Sequence, residues 1–449
     1  MRKNAYVISN AFIAALGGLL FGFDTAVISG AERSIQEIFQ LDGFWHGFTV
    51  AIALIGTVIG ALLAGKPADK YGRKKVLIVL AFFYAISALG SALASDWYLF
   101  IFFRFLGGLG VGASSVIGPM YIAEIAPARM RGRLVGLFQF NVVAGILLAF
   151  LSNYMINSNI ELNAWRWMLG VEAIPAFVFL VLLFKIPSTP RWLVSKNKHD
   201  EALALLKKLS SSNPQQEIDE IEASIQNQQN LHKEVLFSKQ YIFPISLAIL
   251  IAFFNQMSGI NAIMYYAPRI FEMTGIGKDS ALLQSVSIGV TNLLFTMVGM
   301  LIIDKVGRKK LLLIGSAGTA FFLAMVAKVL LSETNGSILT VVYLVGFIAF
   351  FALSQGAVIW VFISEIFPNS VRAKGQTLGS FTHWFMAALV SWIFPMIAEG
   401  SENGGGTAFI IFAAFMVIQL VVVWKFFPET KGKSLEQIEI EFSERSNSK

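Results

Sequence analysis

The sequence has no cysteine, which removes disulfides, thiolate metal sites and a cysteine nucleophile at once. Charge is also scarce. Asp, Glu, Lys and Arg make up 14% of the 449 residues, against about 25% in an average soluble domain. A soluble surface demands more charge than this, so an ordinary cytosolic enzyme is excluded, as are a disordered chain and a collagen-like fibre. No Gly-x-x-x-x-Gly-Lys-Ser/Thr loop is present, so no built-in phosphate cradle couples ATP to this chain. Gly107-Gly-Leu-Gly-Val-Gly112 superficially looks like a nucleotide loop, but it lies inside an apolar run with no strand before it. No metal ligand set and no cofactor are expected. What abounds is apolar side chain: 56% of residues, 40 of them Phe, with a mean hydropathy of +0.67.

That material falls into runs. A helix needs about 20 mainly apolar residues to cross a bilayer, and twelve such runs can be drawn. They lie near Ala5–Gly30, Phe44–Ala64, Val76–Ser95, Tyr98–Ile122, Leu134–Tyr154, Trp167–Ile186, Ile242–Phe271, Leu282–Ile303, Leu311–Leu331, Leu339–Ile363, Thr377–Ile397 and Ala408–Phe427. Most lack period-2 alternation and carry interior Gly, which argues for helices over barrel strands. The fold class expected is an all-α membrane protein. Gly18/Gly22, Gly56/Gly60 and Gly108/Gly112 stand four apart, a spacing that lets helices approach closely in lipid or arises by chance among 38 Gly. The first run is not a cleaved signal peptide: it is too long and holds Asp24.

Charge placement gives orientation. With these runs, and with Lys185, Arg269 and Lys425, each within two residues of a run's end, counted with the adjoining side, 29 Lys/Arg fall on one side, together with both termini, and only Arg33, Arg166, Arg269 and Lys278 on the other. Arg104 and Lys328 sit within runs. The positive-inside rule puts both termini in the cytoplasm of a multi-pass cell-membrane protein. The net charge of +7 is then topological, and a nucleic-acid partner loses its support.

The chain also repeats itself. Asp69-Lys-Tyr-Gly72-Arg73-Lys-Lys75 after the second run returns as Asp304-Lys-Val-Gly307-Arg308-Lys-Lys310 after the eighth. Tyr121-Ile-Ala-Glu124-Ile-Ala-Pro127 with Arg131 returns as Phe362-Ile-Ser-Glu365-Ile-Phe-Pro368 with Arg372. Pro187-Ser-Thr-Pro190 is echoed by Pro428-Glu-Thr-Lys431. The pairs divide the chain into residues 1–187, a six-helix half; 188–240, a cytoplasmic linker; and 241–449, a second six-helix half with a tail. Two halves of parallel topology form transporters with a substrate site near the bilayer midplane. Within the linker, Asp200–Leu209 has apolar positions at helical spacing, and two or three short amphipathic helices are expected around a Ser210–Pro214 loop.

Few residues within the runs are ionisable. Asp24 and Arg104 lie in the first and fourth runs, where a charge at mid-membrane costs about 2.5–3.5 kcal/mol on insertion scales. Burial disfavours a carboxylate's charge and a neighbouring guanidinium favours it. A carboxyl so balanced can take a proton on one side and release it on the other; the alternative is a static ion pair. Glu172 is a relay partner or a packing contact. Lys328 can snorkel, and His46 is placed at the interface beside Trp45. His383 is mid-span beside Trp384. Amides are unusual in spans, yet Gln139, Asn141, Asn255, Gln256, Asn261, Asn292 and Gln355 all fall there. An amide both donates and accepts, which suits a ligand rich in hydroxyls, and Phe21, Trp360 and Trp384 offer apolar faces for the C–H side of a sugar ring. Asp69, Arg73, Glu124, Arg131, Asp304, Arg308, Glu365 and Arg372, with Glu124/Arg131 and Glu365/Arg372 as pairs, form a cytoplasmic latch or, for the basic members, only set topology.

These residues resemble the sugar porter family of the major facilitator superfamily over nearly the whole chain. The match comprises Gly17–Gly30, both Asp-x-x-Gly-Arg-Lys loops, Pro119-Met-Tyr-Ile-Ala-Glu124, Gln256-x-x-Gly-Ile-Asn261 with Tyr265-Tyr266, Ser364-Glu-Ile-Phe-Pro368 and Pro428-Glu-Thr-Lys-Gly432. The resemblance implies a major facilitator fold, alternating access and monosaccharide transport. It implies a proton-coupling role for Asp24 with Arg104, because symporters of the family carry Asp at the first position and facilitators usually do not. It implies sugar contacts from Phe21, Gln139, Gln256, Asn261, Asn292, Trp360 and Trp384. The chain departs from the pattern at Ile146 and His383, at Asn255 before Gln256, and at Pro187-Ser-Thr-Pro190-Arg191. The expectation is a proton-coupled monosaccharide importer, acting as a monomer in the bilayer; a facilitator or a sugar-sensing receptor stands as the alternative.

Overall fold

The computed structural model describes residues 2–127, 129–209, 213–230, 235–332, 337–368, 370–433, 437–438 and 442. Among these residues there is no strand. Twelve helical segments are long and apolar enough to span a membrane: Ala5–Ile38, Gly43–Leu63, Arg73–Leu93, Trp97–Ile125, Arg131–Asn159, Ala164–Leu183, Lys239–Glu272, Lys278–Val306, Arg308–Leu331, Ile338–Glu365, Arg372–Glu399 and Gly404–Phe426. They are called the first to twelfth spans below. Each contains or overlaps one apolar run of the sequence. The helices run on past the hydropathy boundary wherever the flanking residues still favour helix; Glu32, Gln36 and Glu37 extend the first span eight residues beyond Gly30.

Helix ends follow local chemistry. Gly72 and Gly307 sit at φ +91° and +101°, backbone that L side chains rarely adopt. Each ends one helix and starts the next, so the two Asp-x-x-Gly-Arg-Lys motifs make the same sharp turn. The linker forms three short helices, Pro190–Ser195, His199–Lys208 and Pro214–Asn230. The first has Pro at its start. The second carries Asp200 and Glu201 in its first turn and Lys207 and Lys208 in its last, matching the helix dipole. Residues 210–212 of the expected loop lie outside the described residues.

The chain divides into two compact units. One comprises Met1–Val27, Ile55–Ala149 and Ile160–His232; the other comprises Ile28–Leu54, Phe150–Asn159 and Lys233–Lys449. In the first unit, paired small residues bring backbones together. A Cβ on Gly18 or Gly22 would overlap the carbonyl oxygens of Phe138 and Val142 in the fifth span, and one on Gly56, Gly60 or Gly112 would overlap backbone across the second–fourth crossing. Lipid supplies no hydrophobic drive between helices, so such close packing carries the association.

Three spans are broken. The sixth consists of Ala164–Gly170 and Ala173–Leu183, the seventh of Ile242–Met257 and Ile260–Glu272 after a 3-10 turn at Lys239–Tyr241, and the tenth of Ser337–Leu353 and Gln355–Glu365. Gly259 makes the break in the seventh at φ +79°. The Ser258 hydroxyl fills the gap by donating to the Asn255 carbonyl at 2.6 Å and accepting from Ile260 N at 3.3 Å. Broken helices put polar backbone and side chains at membrane depth without exposing them to lipid.

Candidate functional site

The interior of the first unit holds charge. Arg104 Nη1 donates to Asp24 Oδ1 at 2.6 Å, with the two side chains 2% and 5% exposed. Glu172, at the break of the sixth span, turns its buried carboxyl toward the same pair, and its Oε1 has no protein hydrogen-bond partner. Tyr84 and Ser114 share a 2.7 Å hydrogen bond nearby in this unit. Gly107 keeps the fourth span open at this level, since a Cβ there would overlap the Ser87 hydroxyl and lie 3.7 Å from Asp24 Oδ1. The three ionisable groups picked out of the first-half spans are thus one cluster of two acids and one base. Phe21 and Gln139 of this unit are partly exposed.

The second unit has a neutral polar interior. Gln256 Nε2 lies 3.0 Å from Asn255 Oδ1 and 3.2–3.3 Å from the two ring nitrogens of His383. Its Oε1 is buried without a partner, as is that of Gln355. The His383 ring packs between Trp360 and Trp384, each at a centroid distance of 4.9 Å. Trp360 is 38% exposed, whereas Trp384 is buried. Asn292 is buried and accepts from Thr296 at 3.4 Å, and Asn261 is half-buried just after the Gly259 break. An unpartnered buried amide oxygen is costly unless a ligand or water meets it. Not every amide is available: Asn141 donates to the Leu137 carbonyl of its own helix at 2.8 Å.

The repeated loops form two matching networks. Arg73 meets Asp69 at 3.1 Å and Glu124 at 3.0 Å, and donates to the Ala68 carbonyl. Arg308 meets Asp304 at 2.9 Å, binds Glu365 through Nε at 3.1 Å and Nη2 at 2.7 Å, and donates to the Ile303 carbonyl. Glu124 and Glu365 therefore pair with Arg73 and Arg308 rather than with the nearby Arg131 and Arg372. Arg131 is exposed, and Arg372 Nε donates to the Phe367 carbonyl. Sequence proximity suggested the other pairing; the tight turns at Gly72 and Gly307 instead aim the next residue back at the acid. In the second network Glu429 accepts from Arg308 N and Lys309 N, and Thr430 donates to Glu365 at 2.6 Å.

One constellation escaped the sequence reading. His46, in the first turn of the second span, is fully buried, with Nε2 2.7 Å from Glu32 Oε2. Arg269 and Glu399 complete the group. The sequence signal available was weak, namely that basic residues are few at this end.

Residues 10–442 match the family model described as sugar (and other) transporter. The chain belongs to this family. It is 36% identical to the D-xylose-proton symporter of Escherichia coli strain K12, over 97% of this chain and 96% of that one. It is 37% identical to the arabinose-proton symporter of Bacillus subtilis strain 168, over 97% and 94%. Its structure is similar to that of the E. coli xylose transporter in an inward open conformation, with a TM-score of 0.86, 35% identity, and 97% and 99% of the two chains covered. The same protein bound to 6-bromo-6-deoxy-D-glucose gives a TM-score of 0.80, with 36% identity and coverage of 98% and 99%. The transporter is thus a multi-pass membrane protein of the major facilitator fold and not an enzyme.

Proposed function

We propose that this transporter imports a monosaccharide, pentose or hexose, together with a proton, by alternating access, as a single chain with both termini in the cytoplasm. The observation that carries the reading is the buried Asp24–Arg104 contact at 2.6 Å with Glu172 beside it. Two carboxyls and one guanidinium are electrically neutral with one proton bound. That proton sits on Asp24 or Glu172, and taking it up or losing it changes the grip on Arg104, hence the packing of the first, fourth and sixth spans. Asn255, Gln256, Asn261, Asn292 and His383 offer sugar hydroxyls both donors and acceptors. Phe21, Trp360 and Trp384 supply apolar faces, and Gln139 of the first unit adds an amide. The Arg73 and Arg308 networks act as the cytoplasmic gate.

One charge moving down about 100 mV supplies about 2.3 kcal/mol, enough for roughly a fortyfold sugar gradient at about 1.4 kcal/mol per tenfold. In proteoliposomes, uphill uptake rises as the outside is made more acid than the lumen. Asp24→Asn keeps sugar counterflow but loses accumulation. Accumulation that survives Asp24→Asn unchanged refutes coupling through this carboxyl.

A further inference from the structure

The transport reading leaves unused a second charge cluster, built around two buried residues, at the end of the spans opposite to the Asp-x-x-Gly-Arg-Lys loops. Four spans contribute to it, all through residues of one compact unit. Glu32 of the first span and His46 of the second are 1% and 0% exposed. Arg269 of the seventh reaches Glu32 Oε2 at 3.2 Å and Glu399 Oε1 of the eleventh at 3.0 Å. Gln36 closes the ring, accepting from Arg269 Nη2 at 2.7 Å and donating to Glu399 at 3.1 Å.

His46 is the centre. Its Nε2 lies 2.7 Å from Glu32 Oε2. Its Nδ1 faces two groups of opposite kind, the acceptor Glu399 Oε1 at 3.5 Å and the donor Arg269 Nη1 at 3.2 Å. Tyr266 meets the ring edge-on at 5.7 Å, with its hydroxyl donating to the Ser391 carbonyl. The charges just outside are engaged elsewhere: Arg33 pairs with Glu37 and Glu272, and Asp42 caps the second span at Trp45 N. The groups that decide the charge state at the ring are therefore Glu32, Glu399 and Arg269.

Two carboxylates and one guanidinium leave one negative charge over; Arg269 and Glu399 are 17% and 29% exposed, so the charge with least access to water is that of Glu32, beside His46. An unbalanced buried charge is unfavourable, and imidazole is the side chain here whose charge changes near neutral pH. Protonated, His46 makes the cluster neutral, with its two ring nitrogens 2.7 and 3.5 Å from the Glu32 and Glu399 carboxylates. Neutral, it can still accept from Arg269, but the excess charge remains. We propose that His46 is a second proton-binding site, separate from Asp24, and that the proton on it holds the ends of the first and second spans against the seventh and eleventh. This rests on the family reading, which makes this the outer end. Sugar entering from outside must part these ends, and parting them takes the cluster into water, where its excess charge is tolerated. Acid therefore favours the closed outer end, and alkali favours opening.

The absence of cysteine makes the test free of background. Spin labels are placed on the full chain in lipid nanodiscs at Ile38→Cys and Ser401→Cys, both exposed, and the dipolar distance distribution is followed without sugar from pH 5.5 to 8.5. The separated population is expected to grow at least several-fold across this range. The comparison is made in the Asp24→Asn background, where the coupling carboxyl no longer titrates, and Asp24→Asn by itself keeps a pH response. His46→Gln added to it, which keeps hydrogen bonding but cannot carry the charge, removes that response. Glu32→Gln in the same background, which cancels the excess charge by another route, keeps the labels close at high pH and serves if His46→Gln folds poorly. A response that persists with His46→Gln in this background, or that is absent from Asp24→Asn by itself, overturns the proposal. Failure of proton-coupled uptake leaves this measurement intact, because no transport is read.

Discussion

The two units carry the same frame and different interiors. Asp69–Arg73–Glu124 and Asp304–Arg308–Glu365 are charge networks of the same connectivity on equivalent turns, at 3.0–3.1 Å and 2.7–2.9 Å. Inside, the first unit places an ion pair and a third acid, whereas the second places amides, a histidine and two indoles. On the proposed reading, the first interior holds the proton and the second meets hydroxyls without charge. The frames themselves differ in one respect. Glu429 caps the turn at Gly307, whereas the helix that starts after Gly72 has no side-chain cap at that glycine and the Trp192 ring lies over Gly72 instead.

The comparison breaks most visibly at Arg104. Arg104→Ala strands Asp24 and Glu172 without their cation, and a loss of about 3–5 kcal/mol is expected for a broken buried pair, read as a lower melting temperature in detergent. Pairing it with Asp24→Ala should return much of that stability while coupling stays lost; a double variant as unstable as the single would mean the charges are not balanced against each other. Next in size is Gln256→Ala, expected to raise half-saturating sugar by about tenfold, or about 1.4 kcal/mol, in counterflow where no proton gradient acts. If it abolished proton coupling and left sugar affinity alone, the division between the interiors would be wrong. The smallest effect sharpens the frame difference. Glu429→Ala removes the carboxylate that accepts from two backbone N–H groups at a helix start and should cost about 1–2 kcal/mol, whereas Ser188→Ala should stay within about 0.5 kcal/mol, both by thermal unfolding.

Much of this was legible in the chain. Hydropathy gave the twelve spans because a bilayer sets a minimum apolar length, and the motif pairs gave the repeat. Asp24, Arg104 and Glu172 stood out because ionisable residues in apolar runs are rare. Their meeting is a tertiary fact. So is the separation of amides that are available, such as Gln256 with its free Oε1, from Asn141, which is spent on its own helix. The partner of Glu124 was misjudged because chain distance is a poor guide where a glycine turns the backbone sharply.

The sequence by itself determined that this is a twelve-span, twice-repeated membrane carrier, because burial in lipid constrains composition, length and charge placement residue by residue. Only the tertiary structure decided which charges neutralise one another. His46 shows why: its character depends on Glu32, Arg269 and Glu399, drawn from three other helices, and electrostatic balance belongs to groups in space, which no local pattern encodes.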